Sequence, residues 1–289
     1  MKKYSIIIPH KNTPTLLQRL LNSIPSREDV EIIVVDDNSD SQLVDFATFQ
    51  GINNRNSKVI FSKEGNGAGY ARNIGINHAQ GEWLLFADSD DYFYTEQLNA
   101  FLNTPIPDTY DVVVYGADYC YLDGSKRVMA YNPQLEECKL TDSDETSKLY
   151  FDYCTPWVKM VRRRKIVREN LRFEEIQWGN DMMFSAQLAL STPKYAIYNS
   201  IIYCHERRPN SLYESTTGNY HAYRCRTESF FRINRMLRNA NRALLPTEHL
   251  LREIYKTKRH ISFVFLMVQS LVYCGPRHTL KTLKQLLSK

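Results

Sequence analysis

The chain has 289 residues, is 43% apolar and 24% charged, and carries a formal net charge of +5. That balance belongs to an ordinary globular protein, long enough for one large domain or two small ones. The positive excess is too small to argue for a nucleic-acid partner.

The first third alternates strand and helix. "YSIIIP" (4–9) reads as a buried strand ended by proline. "TPTLLQRLLNSI" (13–24) follows as a helix, with Thr13 as N-cap and Pro14 at its first position. Then come a strand at "EIIVVDD" (31–37), a helix at "SQLVDFATFQ" (41–50) and a strand at "KVIFS" (58–62). "GAGYARNIGINHAQ" (67–80) is a helix entered through glycines, and "EWLLFADSD" (82–90) is a strand. "TEQLNAFLN" (95–103) is helical and "YDVVVYG" (110–116) is another strand. Such alternation predicts an α/β fold, a mostly parallel sheet flanked by helices, with ligands bound outside the C-terminal strand ends. "ADYCYLDGSKRVMAY" (117–131) reads as a hairpin turning at Asp123-Gly124-Ser125. From residue 220 the pattern is helical and basic.

Six scattered cysteines (Cys120, Cys138, Cys154, Cys204, Cys225, Cys274) form no C-x-x-C pair and are expected to be reduced, as in a cytosolic protein. "MKKYSIIIPHKN" is too briefly apolar for a signal peptide. "ISFVFLMVQSLVYC" (261–274) falls short of the roughly 20 residues a transmembrane helix needs. It is expected to be buried or to lie in the membrane interface.

The chemistry gathers at predicted strand ends. Pro9 and His10 close the first strand, Asp36 and Asp37 the second, and Asp88, Ser89, Asp90 and Asp91 the fourth. Asp88 and Asp90, two apart, leave on one face. Like charges that close repel, and Mn²⁺ or Mg²⁺ would relieve them; a solvent-facing helix cap is the simpler reading. Asp37 suits a ribose hydroxyl or base N–H, although a turn would also use it. "GNGAGYARN" (65–73) fails the dinucleotide fingerprint because Tyr70 stands where a glycine is needed. Its glycines still let backbone approach phosphate, with Arg72 on the first turn. Asp181, after Gly179-Asn180 and near Trp178, is either a helix cap or a partly desolvated general base. "YCHERRPNS" (203–211) supplies His205, Arg207, Arg208 and Ser211. His205 is a third candidate metal ligand, and Arg207 and Arg208 are candidates for the ligand's anionic part.

In this order, "SIIIPHKN", "VVDDNS", "GAGYARNIGINHAQGEWLLFADSDD", "PWVKMVRRRKI", "LRFEE" and "GNDMMF" resemble a family 2 glycosyltransferase of the GT-A fold over about residues 4–212. The resemblance implies inverting transfer of a sugar from a nucleotide-sugar, usually UDP-linked, to an acceptor hydroxyl. It implies that Pro9 and Asp37 border the nucleoside and that Arg72 lies near base or phosphates. "DSD" would be the D-x-D motif, with Asp90 as metal ligand and Asp88 near ribose or metal, and Asp181 the general base. His10 stands where the family often has tyrosine, and Asn180 where it often has glutamate. The absence of Q-x-x-R-W speaks against a processive synthase.

Residues 1–115 are then expected to bind the nucleotide-sugar, 116–215 the acceptor, and 216–289 to form a basic helical region. The expected acceptor is a glycan or lipid-linked glycan of a bacterial surface polysaccharide. The expected location is cytoplasmic, with the C-terminal helices touching the inner face of the cell membrane. A non-catalytic nucleotide-sugar-binding protein and a nucleotide-dependent oxidoreductase are the alternatives.

Overall fold

The computed structural model describes residues 2–52, 54–121, 128–131, 140–143, 155–192, 195–208, 217–257 and 259–287. They form two compact units, one of residues 1–175 with 184–208, the other of 176–183 with 209–289.

Among the described residues, the first unit is built on a ten-stranded sheet. Its strands are β1 (Tyr4–His10), β2 (Val30–Asp37), β3 (Ser57–Ser62), β4 (Trp83–Phe86), β5 (Tyr92–Phe93), β6 (Val112–Tyr121), β7 (Val128–Tyr131), β8 (Leu140–Ser143), β9 (Lys159–Arg162) and β10 (Tyr195–Arg207). They lie in the order β3-β2-β1-β4-β9-β6-β10-β5, with β7 on β6 and β8 on β10. β9 runs antiparallel between β4 and β6. Reversing twice restores the direction, so β1, β2, β3, β4, β6 and β10 all point the same way. Their C-terminal ends therefore share one edge.

β1 is buried along its whole length, because helices cover both faces. Ile6 and Ile8 join Leu17 and Leu20 of α1 (Pro14–Ser23) and Leu98 and Phe101 of α3 (Thr95–Asn103). Ile7, one residue out of phase, faces Ala71 and Ile76 of α2 (Ala68–His78) instead. α4 (Arg163–Arg168) and α5 (Met182–Ser191) add Ile166, Phe184 and Leu188 to that second layer. Each fully buried aliphatic side chain contributes roughly 1.5–3 kcal/mol, so the register that keeps both layers apolar is strongly specified.

Three expectations are corrected. Residues 41–50 form turns rather than a helix. Asp40 and Asp45 explain this: their carboxylates accept from Gln42 N (2.9 Å) and Ala47 N (2.9 Å), local bonds that compete with helical ones. The cysteines are not all reduced, because Cys120 on β6 and Cys204 on the adjacent β10 form a disulfide across 84 residues. Strand β4 stops at Phe86, leaving Ala87–Asp91 as a loop. The hairpin forms, with β7 antiparallel to β6, while its predicted turn Asp123-Gly124-Ser125 lies outside the described residues. Ser211, Cys138 and Cys154 lie outside them too.

The second unit holds α6 (Tyr220–Asn239), α7 (Glu248–Lys256), α8 (His260–Tyr273) and α9 (Pro276–Leu287) around Phe231, Leu251, Ile254 and Leu266. Asn219 caps α6 by accepting from His221 N (3.0 Å) and Ala222 N (3.3 Å). Asn234 Oδ1 accepts from Leu245 N (2.7 Å) and its Nδ2 donates to Leu245 O (3.0 Å), which ties the following loop to the helix. No helix among the described residues is long and apolar enough to cross a membrane.

α2 lies close on the sheet because Gly75 faces β1: a Cβ there would sit 2.3 Å from Ile7 Cγ2. Glycine to alanine inside a helix ordinarily stabilises by about 1 kcal/mol. Here overpacking against a buried β-branched side chain should reverse the sign, and Gly75→Ala should lose about 1–3 kcal/mol in urea denaturation. A gain in stability would contradict this packing.

Candidate functional site

The site lies at the shared C-terminal edge of the first unit. At the end of β1, His10 is 1% exposed and both its ring nitrogens are engaged. Nε2 accepts from Thr13 N (3.1 Å), so Nδ1 carries the proton that it donates to Asp36 Oδ1 (2.8 Å). Phe49 meets the ring edge-on at 5.2 Å. Asp36 also accepts from Ser39 N (3.0 Å) and Ser39 Oγ (2.5 Å), and Ser39 Oγ accepts from Asn12 N (2.8 Å). Burial raises the Asp36 pKa, but the bonds from His10 and Ser39 outweigh it and hold the carboxyl below its usual range. His10 thus fastens the loops after β1 and β2 to each other. Pro9, beside it, is buried opposite Val35.

Those loops present Asp37. Its Oδ2 accepts from Gly67 N (2.8 Å) and lies 3.7 Å from Lys11 Nζ. The Gly67 backbone has φ 92°, a left-handed conformation that suits glycine. Asp37 Oδ1 is buried with no hydrogen-bond partner among the described residues. A buried acceptor without a donor costs free energy that a ligand's N–H or O–H would recover.

The acidic loop after β4 meets three arginines, Arg72, Arg208 and Arg19. Arg72, 5% exposed on α2, donates from Nη2 to Asp88 Oδ1 (2.5 Å) and lies 5.3 Å from the Phe173 ring centre. Arg208, just beyond β10, pairs with Asp90. Arg207 stacks over Tyr119 at 4.4 Å. Arg19 of α1 donates to Asp90 O (2.6 Å) and pairs with Glu206.

Beneath this layer Asp91 has no solvent exposure. Its Oδ2 accepts from Tyr203 Oη (2.6 Å) and from His205 Nδ1 (3.0 Å), and its Oδ1 from Glu206 N (2.9 Å). Tyr203 Oη in turn accepts from Asp88 N (2.9 Å). Burial pushes the Asp91 carboxyl up to about 6, against the pull of His205. Burial lowers the His205 pKa, but the Asp91 carboxylate outweighs it and the imidazole is held above its usual value. Trp157 stacks on both rings, 5.2 Å from His205 and 5.2 Å from Tyr203. His205 Nδ1 is thereby fixed and Nε2 is left for another partner.

The structure therefore gathers Pro9, His10, Asp37, Arg72, Asp88, Asp90, His205, Arg207 and Arg208 within the first unit. Asp181 belongs to the second, half-buried just before α5 and following Gly179 at φ 79°. The oxygen and imidazole donors of Asp88, Asp90 and His205 are types a divalent cation accepts, and the Asp91–His205 bond is the support a metal-binding histidine needs. Among the described residues, however, no three such side chains are drawn together as a metal cluster; Arg72 and Arg208 balance the carboxylates instead. Sequence reasoning gave no role to Asp91, Tyr203, Trp157 or Arg19. Its available signal was the alternation of Tyr203 and His205, which puts both on one face of β10.

The profile of Glycosyl transferase family 2 matches residues 5–169. The uncharacterised glycosyltransferase EpsJ of Bacillus subtilis is 28% identical over 73% of this chain, which spans 62% of EpsJ. The uncharacterised glycosyltransferase YibD of Escherichia coli is 24% identical over 83% of this chain and 71% of its own length. The crystal structure of Staphylococcus aureus TarS 1–349 in complex with UDP-GlcNAc superposes with a TM-score of 0.62, covering 90% of this chain and 73% of that one at 22% identity. The fold is of the same kind, a GT-A sheet with a helical C-terminal region.

Replacing Asp91 by asparagine removes the charge that raises the His205 pKa. The titration midpoint of the His205 ring, assigned by NMR against His205→Gln, should fall below the wild-type value in Asp91→Asn. An unchanged midpoint would show that the pair does not control the imidazole.

Proposed function

The chain belongs to glycosyl transferase family 2, and on that premise we propose that it transfers a sugar from a nucleotide-sugar to an acceptor hydroxyl with inversion at the anomeric carbon. The observation that carries the reading is the open buried oxygen of Asp37 beside two arginine–carboxylate pairs at one sheet edge. Asp37 Oδ1 accepts from the nucleoside, with Pro9 and the His10-supported loop alongside. Arg72 and Arg208 exchange their carboxylates for the diphosphate oxygens, which bind guanidinium groups more strongly through paired charged bonds. Arg207 adds positive charge to the same rim. A UDP-linked donor is the preferred choice, since the TarS relative is described with UDP-GlcNAc.

As the acceptor oxygen attacks, the bond from the anomeric carbon to the diphosphate oxygen breaks and its electron pair leaves with the nucleoside diphosphate. Asp181 takes the acceptor's proton as the general base. Mn²⁺ or Mg²⁺, held by Asp90 with Asp88 and His205, would supply positive charge to the leaving diphosphate. The acceptor is a glycan or lipid-linked glycan of a bacterial surface polysaccharide, met on the cytoplasmic side. The oxidoreductase alternative loses ground, because the Gly67 amide is already committed to Asp37.

Asp181→Asn preserves size and capping ability but cannot accept the proton. Steady-state transfer should fall by about 10²-fold or more, with donor affinity by calorimetry near wild type. Normal turnover in the folded variant would remove Asp181 from the mechanism. In parallel, Asp90→Ala should lose the Mn²⁺-dependent part of nucleoside diphosphate binding; an unaltered metal dependence would remove Asp90 as a ligand.

A further inference from the structure

α8 has two contrasting faces. Leu266 and Ser270 are buried, and Phe263, Met267 and Tyr273 pack on the core of the second unit. The other face carries Ile261, Val264, Phe265, Val268, Leu271 and Val272, each between 46% and 90% exposed. Their spacing is that of one helical stripe. Single exposed apolar residues need no explanation, but six contiguous ones mark an interaction surface.

The charge around the stripe indicates what covers it. Residues 209–289 hold fourteen Lys and Arg against four Asp and Glu, so this part of the chain is far more basic than the whole. From Ile254 onward there is no acidic residue at all. Arg259, which precedes α8, is exposed, and so are Arg277, Lys281 and Lys284 of α9, the helix packed beside α8 through the Ser270–Thr279 hydroxyl contact of 2.9 Å. Tyr255, 54% exposed, sits edge-on to His260 at the start of the stripe, as an interfacial aromatic would. A symmetric pairing of two copies through α8 would set like charges against each other. A nucleic acid offers nothing apolar for the stripe. An anionic lipid surface satisfies both parts, since acyl chains take the stripe and headgroups the cations. At 14 residues α8 is about 21 Å long, short of the ~30 Å hydrocarbon core, so it lies in the plane of the interface. We propose that the exposed face of α8, with the cations of α9, docks this protein on the surface of an anionic membrane.

The test is flotation of the full chain with vesicles of equimolar phosphatidylglycerol and phosphatidylcholine, and with phosphatidylcholine alone. Binding should require the anionic lipid and weaken as salt rises. Val264→Glu/Val268→Glu changes only exposed positions and should weaken binding by at least about tenfold. Lys281→Glu/Lys284→Glu should do the same, each lysine near the surface being worth roughly fivefold; helical circular dichroism should be unchanged in both. The proposal is overturned if wild type ignores the anionic vesicles, if it binds both lipids equally, or if both variants bind as wild type does. Self-association detected by light scattering, abolished by Val264→Glu/Val268→Glu and unaccompanied by vesicle binding, would assign the face to a second copy and overturn it too.

Discussion

A carboxylate with no exposure is stable only when its oxygens are filled by donors, and the Asp91 carboxylate draws Tyr203, His205 and the Glu206 amide from one short stretch of β10. More than a hundred residues of chain separate them, so this group fastens the loop after β4 to β10, three places along the sheet from β4. The rest of the edge follows from that tie. Tyr203, while donating to Asp91, accepts from the Asp88 amide and so orients the acidic loop. His205 is turned with Nδ1 inward, and β10 then delivers Arg208 to Asp90.

The same loop concentrates negative charge that must be balanced. Arg72 and Arg208 do this from α2 and from the end of β10, while Arg19 holds the Asp90 carbonyl from α1. Asp88, Asp90 and Arg208 each keep between 22% and 27% of their side-chain surface in solvent. Water weakens such pairs, which makes them exchangeable for a stronger anion. The deeper ties keep the frame while the outer pairs change: His10–Asp36 is sealed from solvent on both sides, and Asp91 is fully buried against a His205 side chain that keeps 22% of its surface in solvent. Rigid support beneath labile contacts is how a binding edge is held ready without being locked.

Much of the frame is written in local patterns. β1, β2 and β3 are β-branched runs at strand spacing, and α1 opens on Thr13-Pro14, so each is legible from neighbours alone. The placement of Asp37 at the end of β2, of Arg72 near the start of α2 and of Asp88–Asp90 just past β4 is legible for the same reason. Residues 41–50 mislead because their apolar spacing is helical, whereas Asp40 and Asp45 turn the backbone with bonds that no periodicity registers. The Cys120–Cys204 link, the inserted antiparallel β9 and the role of Asp91 depend on contacts across 70 or more residues. His10 looks like a ligand-facing strand-end residue; its burial under Phe49 and its bond to Asp36 arise only when β1 and β2 pair.

The central claim is that this sheet edge binds the nucleotide part of a sugar donor. Amide NMR of the protein titrated with UDP and Mn²⁺ tests it without needing the sugar or the acceptor. Shifts should concentrate at Lys11–Thr13, Asp37–Ser39, Gly65–Arg72 and Asp88–Asp91, with Gly67 prominent because its N–H bonds the carboxylate that receives the nucleoside. Saturable binding that leaves these amides unmoved, or no binding of any nucleoside diphosphate, would contradict the account.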